Sequence, residues 1–225
     1  MIEGLGAILG PEGLVSTPFG RALYRRDAGF LNAEPLAVCL PADVRQLAGV
    51  VRLCTEHGVG FTPRGAGTGL AGGAVPLGRT VVIGLSRMNR ILELDAENRC
   101  AWVEPGVENA RLDRAARLHG LRYAPDPSSQ QASTIGGNVG TNAGGPHCLA
   151  YGVTSSHVLA LDLMDAHGDV HRFGSVAPEH DGYDVRGVIL GSEGTFGIVT
   201  AVCLRLLPVP ERVKTLLLPF RSVHD

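Results

Sequence analysis

Of the chain's 225 residues, 31 are glycine, and they crowd into three stretches, 65–73, 136–145 and 187–197. Glycine loses more backbone freedom on folding than any other residue, so such loops mark places where the chain turns tightly or approaches something closely. The first, within PRGAGTGLAGGAVP (63–76), contains Gly67-x-Gly69-x-x-Gly72, the spacing of a dinucleotide-binding turn. The segment before it agrees with that reading. Residues 35–41 (PLAVCLP) predict a short strand at a sheet edge. Val44, Leu47, Val50, Val51 and Cys54 recur at helical spacing before Gly58, and residues 60–63 predict a second strand. Glu93 and Asp95 even lie where a ribose-binding carboxylate would sit.

The segment after the glycines does not agree. A dinucleotide turn opens a helix whose first N–H groups hold the pyrophosphate. Here the chain runs on through Pro76 and Gly78 into the β-rich run 80–86, TVVIGLS, so the loop joins strand to strand. An NAD-type Rossmann site is thereby disfavoured. Small residues in succession can still converge their N–H groups on an anion without a helix, and Arg64 could add charge or simply be solvated. On this passage alone an anion-binding nest and a bare structural turn both remain open.

Residues 90–95 and 100–104 alternate around 95–98 as a hairpin, and 109–119 read as a helix stopped by Gly120. After the rigid turn 123–129, the run 133–145 (STIGGNVGTNAGG) sets Ser133, Thr134, Asn138, Thr141 and Asn142 among glycines, too polar to be buried without partners. A second hairpin covers 158–164 and 169–173, and 183–190 read as a short helix. The third glycine turn, with Glu193, then leads into a long apolar strand ending near 207.

Several functions are excluded. A net charge of -2 without a basic block argues against nucleic acid. No run of about 18 apolar residues could span a bilayer, and the N-terminal stretch, with Glu3 and Glu12, does not read as a signal peptide. Five scattered cysteines with no C-x-x-C pair favour reduced thiols in a cytoplasmic protein over disulfides or a metal site. With 44% hydrophobic residues, the chain can form one large domain or two small ones.

In this order and spacing, PRGAGTGLAGG, SxxxASTIGGNVGTNAGGxHCxxYG and GSEGTFGIVT resemble the FAD-binding domain of the vanillyl-alcohol oxidase (PCMH-type) superfamily over roughly residues 20–207. Within it the likeness is strongest to the FAD subunits of bacterial glycolate oxidases and to D-2-hydroxyacid dehydrogenases of the D-lactate type. The resemblance implies two α+β subdomains with FAD between them, 1–86 and 87–207, and a start of a cap domain at 208–225, where 214–219 resembles its first strand. On this resemblance the rest of the family's cap is expected to have no counterpart in this sequence.

By the same resemblance, Arg64, Gly65, Ala66, Gly67, Thr68 and Gly69 would wrap the FAD pyrophosphate through main-chain N–H groups. Pro125, Asp126, Ser133, Thr134, Gly136, Gly137, Asn138, Thr141 and Asn142 would line the ribityl and isoalloxazine region. Glu193, Gly194, Gly197 and Ile198 would close over the cofactor. Some relatives bond flavin through a histidine in the pyrophosphate loop or a nearby cysteine. This loop has no histidine, so noncovalent FAD is expected, with His147 a wall residue and Cys148 a buried thiol rather than a flavin ligand. The implied reaction is hydride transfer from a small D-2-hydroxy acid, glycolate or D-lactate, to flavin. Implied partners are further oxidase subunits including an iron-sulfur protein, with peripheral association at the inner membrane allowed. Catalytic residues are not identified, because the cap supplies them in the family. A chain without the cap could instead be a non-catalytic flavin-binding or assembly subunit.

Overall fold

A computed structural model describes residues 1–177, 182–222 and 224. The chain runs α1 (Ile2–Leu9), β1 (Leu14–Val15), α2 (Pro18–Ala22), β2 (Val38–Cys39), α3 (Val44–Glu56), β3 (Gly60–Arg64) and β4 (Thr80–Gly84). It continues through β5 (Ile91–Asp95), β6 (Cys100–Val103), α4 (Asn109–Arg117), β7 (Leu121–Arg122), α5 (Ile135–Thr141) and α6 (Cys148–Tyr151). The last elements are β8 (Val158–Met164), β9 (Val170–Gly174), α7 (Val185–Ile189), β10 (Ile198–Arg205) and β11 (Leu207–Pro208).

The helical spacing at 44–54 becomes α3, which buries Leu47, Val50, Val51 and Cys54. These pack with Leu5 and Leu9 of α1 and with Val81 and Ile83 of β4 in one core. Asp43 caps α3 by accepting from Gln46 N at 2.8 Å, and the Gln46 side-chain oxygen accepts in return from Ala42 N at 2.8 Å. Removing such a cap costs about 1 kcal/mol. Asp43→Ala should therefore lower the thermal midpoint by roughly 2–4 °C, read by circular dichroism during heating.

The first sheet has the order β1-β2-β4-β3, with β2 and β3 both parallel to β4. The sheet edge expected at residues 35–41 lies elsewhere, since the short β1 pairs antiparallel with β2 and takes the edge. β3 and β4 are parallel neighbours although no helix lies in 65–79, so the glycine loop does join strand to strand.

The second sheet, β5-β6-β10-β8-β9, is antiparallel throughout. Across its middle, Val202 stands opposite both Val103 and Leu161, and Leu161 opposite Phe173. This row belongs to a core shared with Leu112 and Ala116 of α4, Ile135 and Val139 of α5, and Ile189 of α7. On the strands' polar positions, Arg172 holds both carboxylate oxygens of Asp162 at 2.7 and 2.9 Å and lies 4.5 Å above the Trp102 ring.

Two further expectations need correction. The polar run 133–145 contains a helix, α5, where the residues suggest only loop. Three of its seven residues are glycine, which lowers intrinsic helix propensity. Tertiary packing overrides that, because Ile135, Asn138 and Val139 are buried. The first amides are also held, Ile135 N by Val107 O and Gly136 N by Pro105 O, both at 2.8 Å. At the other end, 214–219 forms no strand among the described residues, and Leu216, Leu217 and Leu218 are exposed. A strand exists only through a partner's backbone groups, which this run does not have there.

Candidate cofactor-binding site

The three glycine stretches meet at one cleft of about 440 Å³. Its walls are the loop leaving β3, the inward side of α5, and the turn 192–197 that feeds β10. Among the sequence-derived residues, Arg64, Gly65, Ala66, Gly67, Thr68 and Gly69 line it. So do Thr134, Gly136, Gly137, Asn138, Thr141 and Asn142 from α5 and its flanks, and Glu193, Gly194 and Gly197 from the turn.

Close approach explains two of the glycines. A Cβ on Gly65 would overlap Thr134 Oγ1 and lie 3.3 Å from the Gly137 backbone, so the loop rests directly against the start of α5. Gly67 has φ +71, and a Cβ there would overlap the Arg64 guanidinium. The loop thus folds over the arginine that precedes it.

Arg64 is neither solvated nor free to swing toward a ligand. It is 8% exposed, and its Nη1 donates to Arg26 O at 3.0 Å and Ala74 O at 3.3 Å. Burial pulls its pKa down, while nearby Tyr24 and Asp27 push it back up. Its side chain ties the two ends of the loop together.

The electrostatic character of the cleft comes from the backbone. Among the described residues, the amides of Gly65, Ala66, Gly67, Thr68 and Gly69 donate no hydrogen bond, although the loop's other polar contacts are well defined. Successive unpaired N–H groups on a loop form an anion-binding concavity. The amides that open α5 are occupied instead: Ile135, Gly136 and Asn138 bond backbone carbonyls, and Gly137 reaches Thr134 Oγ1 at 3.4 Å. The unpaired backbone donors at the cleft are therefore those of the loop and not those of the helix end. Asn138, 2% exposed, is fixed from behind, its Oδ1 accepting from Asn109 Nδ2 at 3.1 Å.

Four sequence-derived residues do not line the cleft. Pro125 is buried, its carbonyl accepting from Asn109 Nδ2 at 3.1 Å. Ser133 is 3% exposed and its Oγ has no partner. Ile198 lies at 1% exposure in the core of the first sheet. Asp126 pairs with the mostly exposed His147, Oδ2 to Nδ1 at 2.5 Å. Cys148 is half-buried rather than buried, and its Sγ accepts from Gly145 N at 2.8 Å, so the thiol completes a local turn.

Other lining residues carry no signal in the sequence, among them Asp27, Leu85, Ser129, Ile189 and Val199. Leu85, Ile189 and Val199 supply an apolar wall, and buried strand or helix residues bear no sequence mark that separates wall from core. No cluster of metal-ligating side chains occurs among the described residues, and no helix there is long and apolar enough to cross a membrane.

The cleft with this backbone donor set lies beside the mixed first sheet and the antiparallel second one, and comparison with known proteins gives the chain's family. Residues 35–174 match the FAD binding domain family, to which the chain belongs. The chain is 42% identical over 223 residues to glycolate oxidase subunit GlcD of Bacillus subtilis (strain 168), covering 98% of this chain and 47% of that one. D-lactate dehydrogenase of Anaerostipes hadrus is 39% identical, over 86% of this chain and 41% of its own. Among solved structures, alkyldihydroxyacetonephosphate synthase superposes with a TM-score of 0.84 over 94% of this chain and 40% of its own, at 23% identity, which establishes a shared fold. The fold is the two-sheet PCMH-type arrangement, and FAD is its cofactor. The chain spans less than half the length of these relatives.

Proposed function

We propose that this chain is the FAD-binding part of an oxidoreductase that oxidises a small D-2-hydroxy acid such as glycolate or D-lactate. The observation that carries the cofactor's placement is the run of five unpaired amides at Gly65 to Gly69, set against α5. These amides would hold the diphosphate. Thr134, Gly136, Gly137, Asn138, Thr141 and Asn142 would border the ribityl chain and flavin ring, with Glu193, Gly194 and Gly197 closing the remaining side. Pro125, Asp126, Ser133 and Ile198 would act from behind these walls. On this reading the first sheet and its helices, residues 1–86, form one subdomain and residues 87–207 the other.

Bound FAD supplies a two-electron redox centre that protein side chains cannot provide. The chain's own groups would bind and orient it, with Leu85, Ile189 and Val199 giving one part of the cleft an apolar wall. The choice of hydroxy acid, the electron acceptor and any iron-sulfur partner would depend on parts of the enzyme outside this sequence. The relatives' names support the substrate class, glycolate and D-lactate both being small 2-hydroxy acids.

Mixing the purified protein with FAD should give a bound flavin spectrum, and acid precipitation should leave the yellow colour in the supernatant, as noncovalent binding requires. A protein that remains colourless in excess FAD would refute the placement of the cofactor. Bleaching of the bound flavin by D-lactate or glycolate would support the substrate assignment. Absence of bleaching with both would favour a flavin-holding subunit without its own turnover.

A further inference from the structure

Asp27 lies far from every glycine motif in sequence, yet it is 7% exposed and lines the cleft. Its Oδ2 accepts from Gly72 N at 2.9 Å and its Oδ1 from Gly29 N at 2.8 Å. The next residue, Ala28, donates its N–H to Gly69 O at 3.0 Å. Arg64, from below, donates to Arg26 O and Ala74 O. Residues 26–28 therefore cross the glycine loop as a strap, fastened at Gly69 and Gly72 and, through the Arg26 carbonyl, to the Arg64 side chain.

Toward a diphosphate a carboxylate here is unfavourable, although Asp27 also offsets the charge of the buried Arg64 nearby. The described charged residues lining the cleft are Asp27, Glu193 and Arg64, and a diphosphate adds further negative charge. Like charges at short range repel, more strongly where water is excluded. A benefit from Asp27 to diphosphate binding must come from where it holds the loop. Both of its oxygens are spent on amides at the strap and the far part of the loop, which leaves the five amides of Gly65 to Gly69 unpaired and already in place. Pre-shaping a site in this way removes ordering cost at the moment of binding.

We propose that Asp27 is a positioning residue for FAD, holding the glycine loop in its diphosphate-binding shape through Gly72 and the 26–28 strap. The proposal rests on the assignment of FAD to this cleft. Asparagine has one acceptor oxygen, so Asp27→Asn leaves Gly72 N or Gly29 N without its partner while removing a negative charge.

The test is a flavin fluorescence titration of wild type and Asp27→Asn with FAD, together with amide exchange of both apo proteins. A positioning role predicts a dissociation constant about tenfold higher in the variant. It also predicts faster exchange confined to the hydrogen-bonded amides of the strap and loop, Ala28, Gly29 and Gly72. An unchanged or tighter constant, as charge repulsion alone would give, overturns the proposal, and so does faster exchange spread over the whole chain. Wild-type protein that binds no FAD would overturn the cofactor assignment and this inference with it, whereas wild-type binding with an unaffected variant overturns the inference alone. If the variant does not fold, wild-type exchange with and without FAD decides. Slowing at Ala28, Gly29 and Gly72 as well as at Gly65 to Gly69 is expected, and slowing at Gly65 to Gly69 alone would refute the strap.

Discussion

Gly65→Val should weaken FAD binding at least about 100-fold, a loss of about 2.7 kcal/mol, while leaving a folded protein. The side chain would start inside contact distance of Thr134 Oγ1 and 3.3 Å from the Gly137 backbone, where no flexible group can yield except Thr134 itself. Thr134 is the N-cap of α5, so moving it uncaps that helix, and moving the loop instead carries the amides of Gly65 to Gly69 away from the cleft. Overpacking of this kind typically costs about 1–3 kcal/mol, and losing charge-assisted hydrogen bonds to a diphosphate adds to it. Gly69→Ala is the internal comparison. Its Cβ would meet only Thr141 Cγ2 at 3.8 Å, ordinary contact, so affinity should change by less than about threefold. Titration of each variant with FAD, read by flavin fluorescence, separates these cases. Equal affinity in Gly65→Val and wild type would mean that the loop does not seat the cofactor.

The two mutations differ in outcome although both alter one motif, and that contrast separates the legible part of the sequence from the rest. The absence of a helix after Gly72 is legible, because Pro76 and Gly78 forbid one locally, and the structure does place β4 there. The convergence of three glycine stretches is legible only through their resemblance to a family. Nothing in their spacing says that Gly65 touches Gly137. Helix α5 is illegible because its glycines argue against it, and it persists through burial of Ile135 and Val139 by the second sheet. Arg64 reads in sequence as a solvated side chain or a phosphate ligand. Its burial depends on carbonyls of Arg26 and Ala74, one of them 38 residues away. Asp27 leaves no signal at all, since a single aspartate before Ala-Gly reads as an ordinary turn. Contacts of that kind are set by tertiary structure, and they determine the shape of the loop that the motif merely permits.

The second sheet supports the cleft from behind, so damage to it should affect stability and binding differently. Leu161 is fully buried at the centre of the cross-strand row, facing Val202 on one side and Phe173 on the other. Leu161→Ala removes most of that contact and leaves a cavity that strand neighbours on both sides cannot easily close, at a cost of about 3 kcal/mol. For a chain of this size the thermal midpoint should fall by roughly 6–12 °C. Leu161 does not line the cleft, so FAD affinity at low temperature, where the variant is still folded, should stay within about threefold of wild type. Saturating FAD should then recover part of the lost midpoint, because a ligand at about 100 times its dissociation constant adds roughly 2.7 kcal/mol to the folded state. Thermal melts with and without FAD, beside a titration at about 10 °C, measure all three quantities. An unchanged midpoint would remove Leu161 from the core. A normal midpoint loss with collapsed affinity would mean that the sheet transmits its packing to α5 and shapes the cleft as well as supporting it.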